Sequence, residues 1–344
     1  MRSKTKHIDD AQPATVDEHF RILVADEDTI DYDESEQVTS ADLPEWYDEK
    51  LYKAGQDYYR SNSLGLTTAI ISGLVAVLAV PSILKVLIYT KKSGTACAAF
   101  KRYLETSLHT RAWYMADSNN DNSDWFKSTN TVRWKHCLAN RRALRDGIGG
   151  ITHRDMALTQ YGLIGYVLLE PEYLGLTNTK EEREGINHVL RVVGHMLGIS
   201  DRLNICRKNE AETTALCRRL QAEVFAKYFE EVPPNFIDMT TALLDGMWSI
   251  DMSIDTGALF AFSYKLNRVP YTRPLSTYSW LVLKYREASH KLCGTPGIGI
   301  FVRAFYNYLM NFTFLIMKKW PIIAWLQYGI EQSKINLYPK LQKS

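Results

Sequence analysis

The chain has five cysteines, Cys97, Cys137, Cys206, Cys217 and Cys293, and no two lie closer than the eleven positions between Cys206 and Cys217. That spacing excludes CxxC zinc knuckles and CxxCH haem attachment, and an odd count with no paired spacing excludes a disulfide framework. Buried free thiols in a reducing compartment are the expectation. HExxH, HxxxH and HxxHH boxes are absent, as are GxSxG, GxGxxG and GxxxxGK[ST]. Those absences argue against zincins, membrane desaturases, serine hydrolases and nucleotide enzymes. The Lys/Arg clusters with interleaved aromatics that bind nucleic acid are missing too, so no nucleic-acid partner is expected. Few β-branched alternating runs occur, and no 20–50-residue repeat is evident. The first twelve residues, MRSKTKHIDDAQ, contain no apolar core of a secretory signal. An intracellular protein is therefore expected.

Charge and hydropathy divide the chain. Residues 1–60 hold sixteen acids against seven bases, so with a formal net charge of +2 the remainder carries +11. Such a body tolerates an anionic ligand or membrane surface. Residues 1–42 are acidic and unpatterned and are expected to be disordered. A helix is predicted from Leu43-Pro44-Glu45-Trp46 to Tyr59. Residues 64–84 then run without a charge, and hydropathy alone favours a transmembrane helix there, although a helix apolar all round can also be the centre of a large α domain. Helical periodicity continues over 95–116, 126–145, 155–169, 180–199, 207–230, 237–263, 275–290, 297–317 and 320–336. The fold class is all-α, with one large helical domain over 43–295. Residues 296–344 are aromatic and basic: Phe301 to Tyr338 combines ten aromatics with Lys318, Lys319 and Lys334, which favours contact with a membrane surface.

Two polar stripes interrupt this apolar-rich pattern. Arg102, Glu105, Thr106 and His109 fall at i, i+3, i+4 and i+7, and so do Arg133, His136, Cys137 and Asn140. Residues at those offsets share one helical face. Two such faces suggest a lined cavity holding a cofactor. Glu105 and His109 could share a metal, though a simple helix contact is the commoner meaning of that spacing. His188 and His195 stand about 10.5 Å apart along a helix and cannot share one. Thr152-His-Arg-Asp155 has the spacing of a capping box, and Gly147-Ile-Gly149-Gly150 follows a helix and is expected to be a turn. His136 lies between Arg133 and the pair Arg141-Arg142. A neutral imidazole ligates iron, and arginines pair with carboxylates. A haem offers both, an iron and two propionates, but the pattern alone does not select a haem over a packed histidine.

At this point the residues resemble a known family. Arg102-x-x-x-Thr106, Thr131-Val-Arg133-x-x-His136, Ile151-Thr-His-Arg-Asp155-Met156-Ala-x-Thr159 and Val192-Val-Gly194-x-x-Leu-Gly198 follow the order seen in bacterial rubber oxygenases (latex-clearing proteins) and a fungal oxygenase of the endoplasmic reticulum that cleaves a prenyl side chain. The resemblance covers roughly residues 50–260. It implies a non-covalent haem b with His136 as axial ligand to the metal, Arg133, Asn140 and Arg141 around the cofactor, and Arg102, Glu105 and Thr106 on the face where dioxygen binds. It also implies that 64–84 belongs to the globular domain. The implied reaction is oxidative cleavage or oxidation of a double bond in an isoprenoid or other unsaturated lipid, by a protein associated with membranes, the endoplasmic reticulum among them. A haem- or lipid-binding protein of the same fold without turnover is the alternative. Two departures stand out. Glu105 occupies the place of a lysine, and Asn140-Arg141 replaces an arginine–histidine pair.

Overall fold

Side-chain caps set where the helices begin, and apolar faces set how they stack. The computed structural model describes residues 7–33 and 36–339. In chain order its helices are α1 (Ile8–Ala11), α2 (Val16–Ala25), α3 (Glu49–Ser61), α4 (Ser63–Leu78), α5 (Pro81–Tyr89), α6 (Ala96–Met115), α7 (Asp124–Arg145), α8 (His153–Leu169), α9 (Lys180–Met196), α10 (Glu210–Leu220), α11 (Ala226–Glu230), α12 (Phe236–Trp248), α13 (Thr256–Leu266), α14 (Thr277–Gly294), α15 (Ile298–Lys319), α16 (Ile322–Tyr328) and α17 (Ile330–Ser333). Among the described residues no β-strand forms, only an isolated bridge between Thr29 and Thr152. The chain is all-α, as its periodicity predicts. Hydroxyl or carboxylate caps begin many of these helices: the side chains of Thr95, Thr152 and Asp255 accept from Ala98, Asp155 and Ala258 N–H, and Thr179 with Glu182 forms a reciprocal capping box.

α4 is the centre of the molecule. Most of its residues are buried, and it crosses α8 where Gly73 meets Gly162. A Cβ on Gly73 would collide with the Gly162 carbonyl oxygen, so the crossing brings backbone against backbone. Gly55 of α3 and Gly185 of α9 make a second crossing of the same kind. α6, α7 and α12 close the other side, and α14 and α15 pack outside α4 and α13.

Two expectations change. The uncharged run 64–84 does not form one long helix. α4 ends at Leu78, Val80 takes an extended conformation, and α5 restarts with Pro81 in its first turn. Proline cannot continue a helix interior but suits a first turn. With α4 only 16 residues long and mostly buried, its apolar surface serves the core. Among the described residues the single helix long and apolar enough to cross a membrane is instead α15, while α3 and α4 reach that length only as a pair bent by 95°.

The acidic N-terminal segment is also ordered over its described part. Ile8 and Leu23 are fully buried. Gln12 donates to the carbonyls of Asn204 and Cys206, and Arg207 donates to the Pro13 carbonyl. The excess acid is matched by ion pairs to the body: Asp9 with Arg191, Asp26 with Arg202, and Asp17 with Arg219.

Candidate functional site

α4 to α9, with Asn336 and Pro339, line a partly open cavity of about 980 Å³, at the upper end of the roughly 300–1,000 Å³ usual for small-molecule and cofactor sites. One side is apolar, with Ile70, Leu74, Val77, Leu163 and Val193 among its walls. The other side is the seam between α6 and α7. Arg102, Glu105, Thr106 and His109 all line it, so the first polar stripe faces the cavity as a unit. From α7 the lining residues are Val132, Lys135, His136, Ala139 and Arg142 among others.

The second stripe therefore splits. His136 reaches the cavity, whereas Arg133, Asn140 and Arg141 do not line it. Arg133 turns to the back of α7, where it donates to the Met196 carbonyl at 3.1 Å, stacks over Tyr32 at 4.3 Å and pairs with Glu36. Asn140 donates to the Ile30 carbonyl at 2.9 Å and accepts from Ile151 N–H at 2.7 Å. The Cys137 thiol donates to the Tyr32 carbonyl. These side chains hold the N-terminal segment and the start of α8 against the helix that carries His136. Arg141 is exposed.

The polar wall has its own order. Lys135 Nζ pairs with Glu105 Oε2 at 2.8 Å, with both side chains about one-quarter to one-third exposed. Lys135 is the residue that motif reading passed over. Its adjacency to His136 was the available signal. Arg102 donates to Thr90 Oγ1 at 3.0 Å, and the Thr106 hydroxyl donates back to the Arg102 carbonyl. His109 Nδ1 shares a 3.1 Å bond with Ser128 Oγ, which in turn meets the Tyr338 hydroxyl at 3.2 Å. The buried His109 Nε2 and His136 Nδ1 have no hydrogen-bond partner. Burial, then the charges of Arg102, Lys135 and Arg133, push His136 down to about 4. Burial and Lys135 push His109 down to about 3. Both rings are neutral at pH 7, the form in which imidazole ligates a metal.

Asp155 is a further cavity residue. Its backbone N–H takes the Thr152 cap at 3.0 Å, but its carboxylate is not held in a reciprocal box. Oδ1 accepts from the Ser82 hydroxyl at 2.6 Å, and the buried Oδ2 has no partner. Burial raises its pKa. The full lining set carries Lys91, Lys92, Lys101, Arg102, Lys135 and Arg142 against Glu105 and Asp155, so the polar side favours an anion.

The remaining histidines lie apart from this wall. His188 Nε2 accepts from Asp48 N–H at 2.9 Å, His195 Nδ1 meets Asp201 at 2.7 Å, and both rings lie edge-on to Trp46. Among the described residues no three His, Cys, Asp or Glu side chains form a metal-binding group. Gly147 and Gly149 adopt positive φ angles of 69° and 98° in a turn after α7, as expected.

The chain's architecture is similar to one already known. The fold is that of latex clearing protein. The structure of latex clearing protein in its closed state superposes with a TM-score of 0.56 over 80% of this chain and 76% of that one, at 15% sequence identity. At that identity the likeness to latex clearing protein is one of fold. No family model matches the sequence, and neither does any curated protein.

Proposed function

We propose that this protein is a haem-dependent oxygenase that acts on a double bond of an isoprenoid or another unsaturated lipid. The observation that carries the reading is the neutral, partnerless imidazole of His136 on the cationic wall of a large, otherwise apolar cavity, in a fold shared with latex clearing protein. The residues fit a haem b. His136 would hold its iron, and Arg102 and Arg142 would supply cations for two propionates. When bound, haem supplies the dioxygen activation that opening a carbon–carbon double bond into carbonyls requires.

The chain's own residues do the rest. Ile70, Leu74, Val77 and Leu163 take up hydrocarbon and keep water out. Each CH₂ kept from water contributes about 0.8 kcal/mol, so the apolar wall offers a lipid tail the shelter that a bilayer gives it. Lys135 holds the Glu105 carboxylate against the wall and keeps it from acting as a free anion in the cavity. Arg102 keeps a fixed cation on the wall that carries His136, and the Thr106 hydroxyl stays bonded to the Arg102 carbonyl.

The test is an absorption spectrum followed by product analysis. Protein expressed with ample haem is expected to show a Soret band that His136→Ala abolishes while helical content stays unchanged. Aerobic incubation with prenyl alcohols, quinones and polyisoprenoids is then expected to give carbonyl products. A wild-type spectrum in His136→Ala refutes the ligand. Haem without oxygen consumption on any of these lipids replaces the oxygenase with a binding protein.

A further inference from the structure

α14 and α15 carry unpartnered apolar stripes on their outer faces. On α15 these are Phe301, Phe305, Tyr308, Phe312 and Leu315, spaced four, three, four and three residues apart and between 47% and 77% exposed. On α14, Tyr278, Leu281, Tyr285, Ala288 and Leu292 follow the complementary spacing and are all exposed. The two helices pack side by side, and in the segment after Trp320 Ile322, Leu326 and Ile330 are exposed too, with Leu326 84% exposed. Neighbouring exposed stripes of this kind mark an interaction site.

Charge decides the occupant. Of the exposed bases over residues 277–339, Lys284 and Lys334 pair with Glu287 and Glu331 and Lys318 lies 3.8 Å from Asp124, which leaves Lys291 and Lys319 as exposed cations without an acidic partner. Two copies of this face would set those like charges against each other, whereas an anionic bilayer attracts them. Tyrosine, tryptophan and lysine around an apolar stripe are the residues that settle at the headgroup level.

Polar pins decide the orientation. α15 is long and apolar enough to cross a membrane, and only 17% of its apolar window is buried. Its inner face, however, is bonded to the body. Asn307 accepts from Ser63 N–H and donates to the Ser61 carbonyl, both at 2.9 Å. Arg303 donates to the Cys293 carbonyl, Arg111 donates to Asn311, and the Tyr306 hydroxyl donates to Ser289 Oγ. Crossing the bilayer would break the bonds to Ser61, Ser63 and Arg111 with no water to replace them. A helix so held lies flat.

We propose that α14, α15 and α16 dock the protein on an anionic bilayer surface, with α15 in the interfacial plane and its Phe301–Leu315 stripe among the acyl chains. The proposal is independent of what the cavity holds. The experiment is co-sedimentation of the full chain with vesicles of phosphatidylcholine alone and of phosphatidylcholine with phosphatidylserine, with tryptophan emission recorded on the same samples. Wild type is expected to bind the anionic vesicles, with a blue shift from Trp280 and Trp320, and to release as salt is raised. Lys291→Gln with Lys319→Gln is expected to weaken partitioning about thirtyfold, at roughly 1 kcal/mol for each lysine at such a surface. Phe301→Glu with Phe305→Glu is expected to abolish it with circular dichroism unchanged, and if that variant precipitates the lysine pair decides. Equal binding to both vesicle types overturns the proposal. So does no binding to either, together with a dimer by light scattering that Phe301→Glu and Phe305→Glu dissociate, an outcome that assigns the face to a second copy.

Discussion

The ion pair between Glu105 and Lys135 is the contact most specific to this chain's cavity, and a double-mutant cycle measures it. Glu105→Gln and Lys135→Met each remove one charge while keeping the approximate side-chain volume. At 2.8 Å, with side chains 25% and 31% exposed, the pair lies between surface and interior. Unit charges 4 Å apart near a protein surface attract by about 4 kcal/mol. Most of that is offset, because both groups give up water and lose side-chain freedom. A coupling energy of about 1–2 kcal/mol remains, with either single variant more destabilised than the double variant would suggest. Urea denaturation of the four proteins at low salt gives the value. Contacting residues couple by about 0.5–3 kcal/mol and independent ones add within about 0.3–0.5, so a coupling inside that additive range refutes the closed cavity wall. NMR titration of His136 gives a second readout. Lys135→Met is expected to raise its pKa only partway from about 4, since burial and Arg102 weigh more than Lys135.

Three further outcomes follow from the packing and the buried imidazoles. Asn140→Ala leaves the Ile30 carbonyl and Ile151 N–H without partners and is expected to cost about 2–3 kcal/mol in urea denaturation, although Asn140 does not line the cavity. Gly73→Ala forces α4 from α8 and is expected to lower stability by at least about 1–3 kcal/mol. A wild-type melting temperature would refute the close crossing. Acidification is expected to destabilise the protein between about pH 6.5 and 4, because His136 and His109 are held neutral when folded and take up protons more readily when unfolded. The stability they contribute is complete above their unfolded pKa and declines as pH falls through that window. Flat stability across it would show that the rings are not buried in solution.

Helix positions were legible because apolar periodicity and caps act locally. The division of residues 237–263 was not. Ser249-Ile-Asp251-Met-Ser253-Ile-Asp255 reads as continuous by apolar spacing, yet Asp251 accepts from Ser253 N–H and Asp255 caps α13, offering the backbone partners outside a helix. Hydropathy misread residues 64–84 for a different reason. It records apolar content and not whether lipid or protein covers it. The candidate site was half legible. On α6 the residues from Arg102 to His109 share one helical face and line the cavity together. On α7 the residues three and four apart form two adjacent stripes. Which one meets the cavity depends on what covers the other, and that cover is the segment around Tyr32, whose composition suggests disorder. One misjudgement about residues 1–42 thus became a second one about Arg133 and Asn140.

The same clamp has a mechanical meaning. His136 meets the cavity from the front of α7, but α7 is positioned from behind by Asn140, Arg133 and Cys137, which grip Ile30, Glu36 and Tyr32. The imidazole's reach is therefore set by contacts that no ligand touches. Substitutions at Ile30 or Tyr32, or a fusion that pulls on the acidic segment, shift the ring as a lever shifts its far end, while enlarging the apolar pocket leaves it in place. In this protein the position of the His136 ring and the size of the apolar pocket can vary separately.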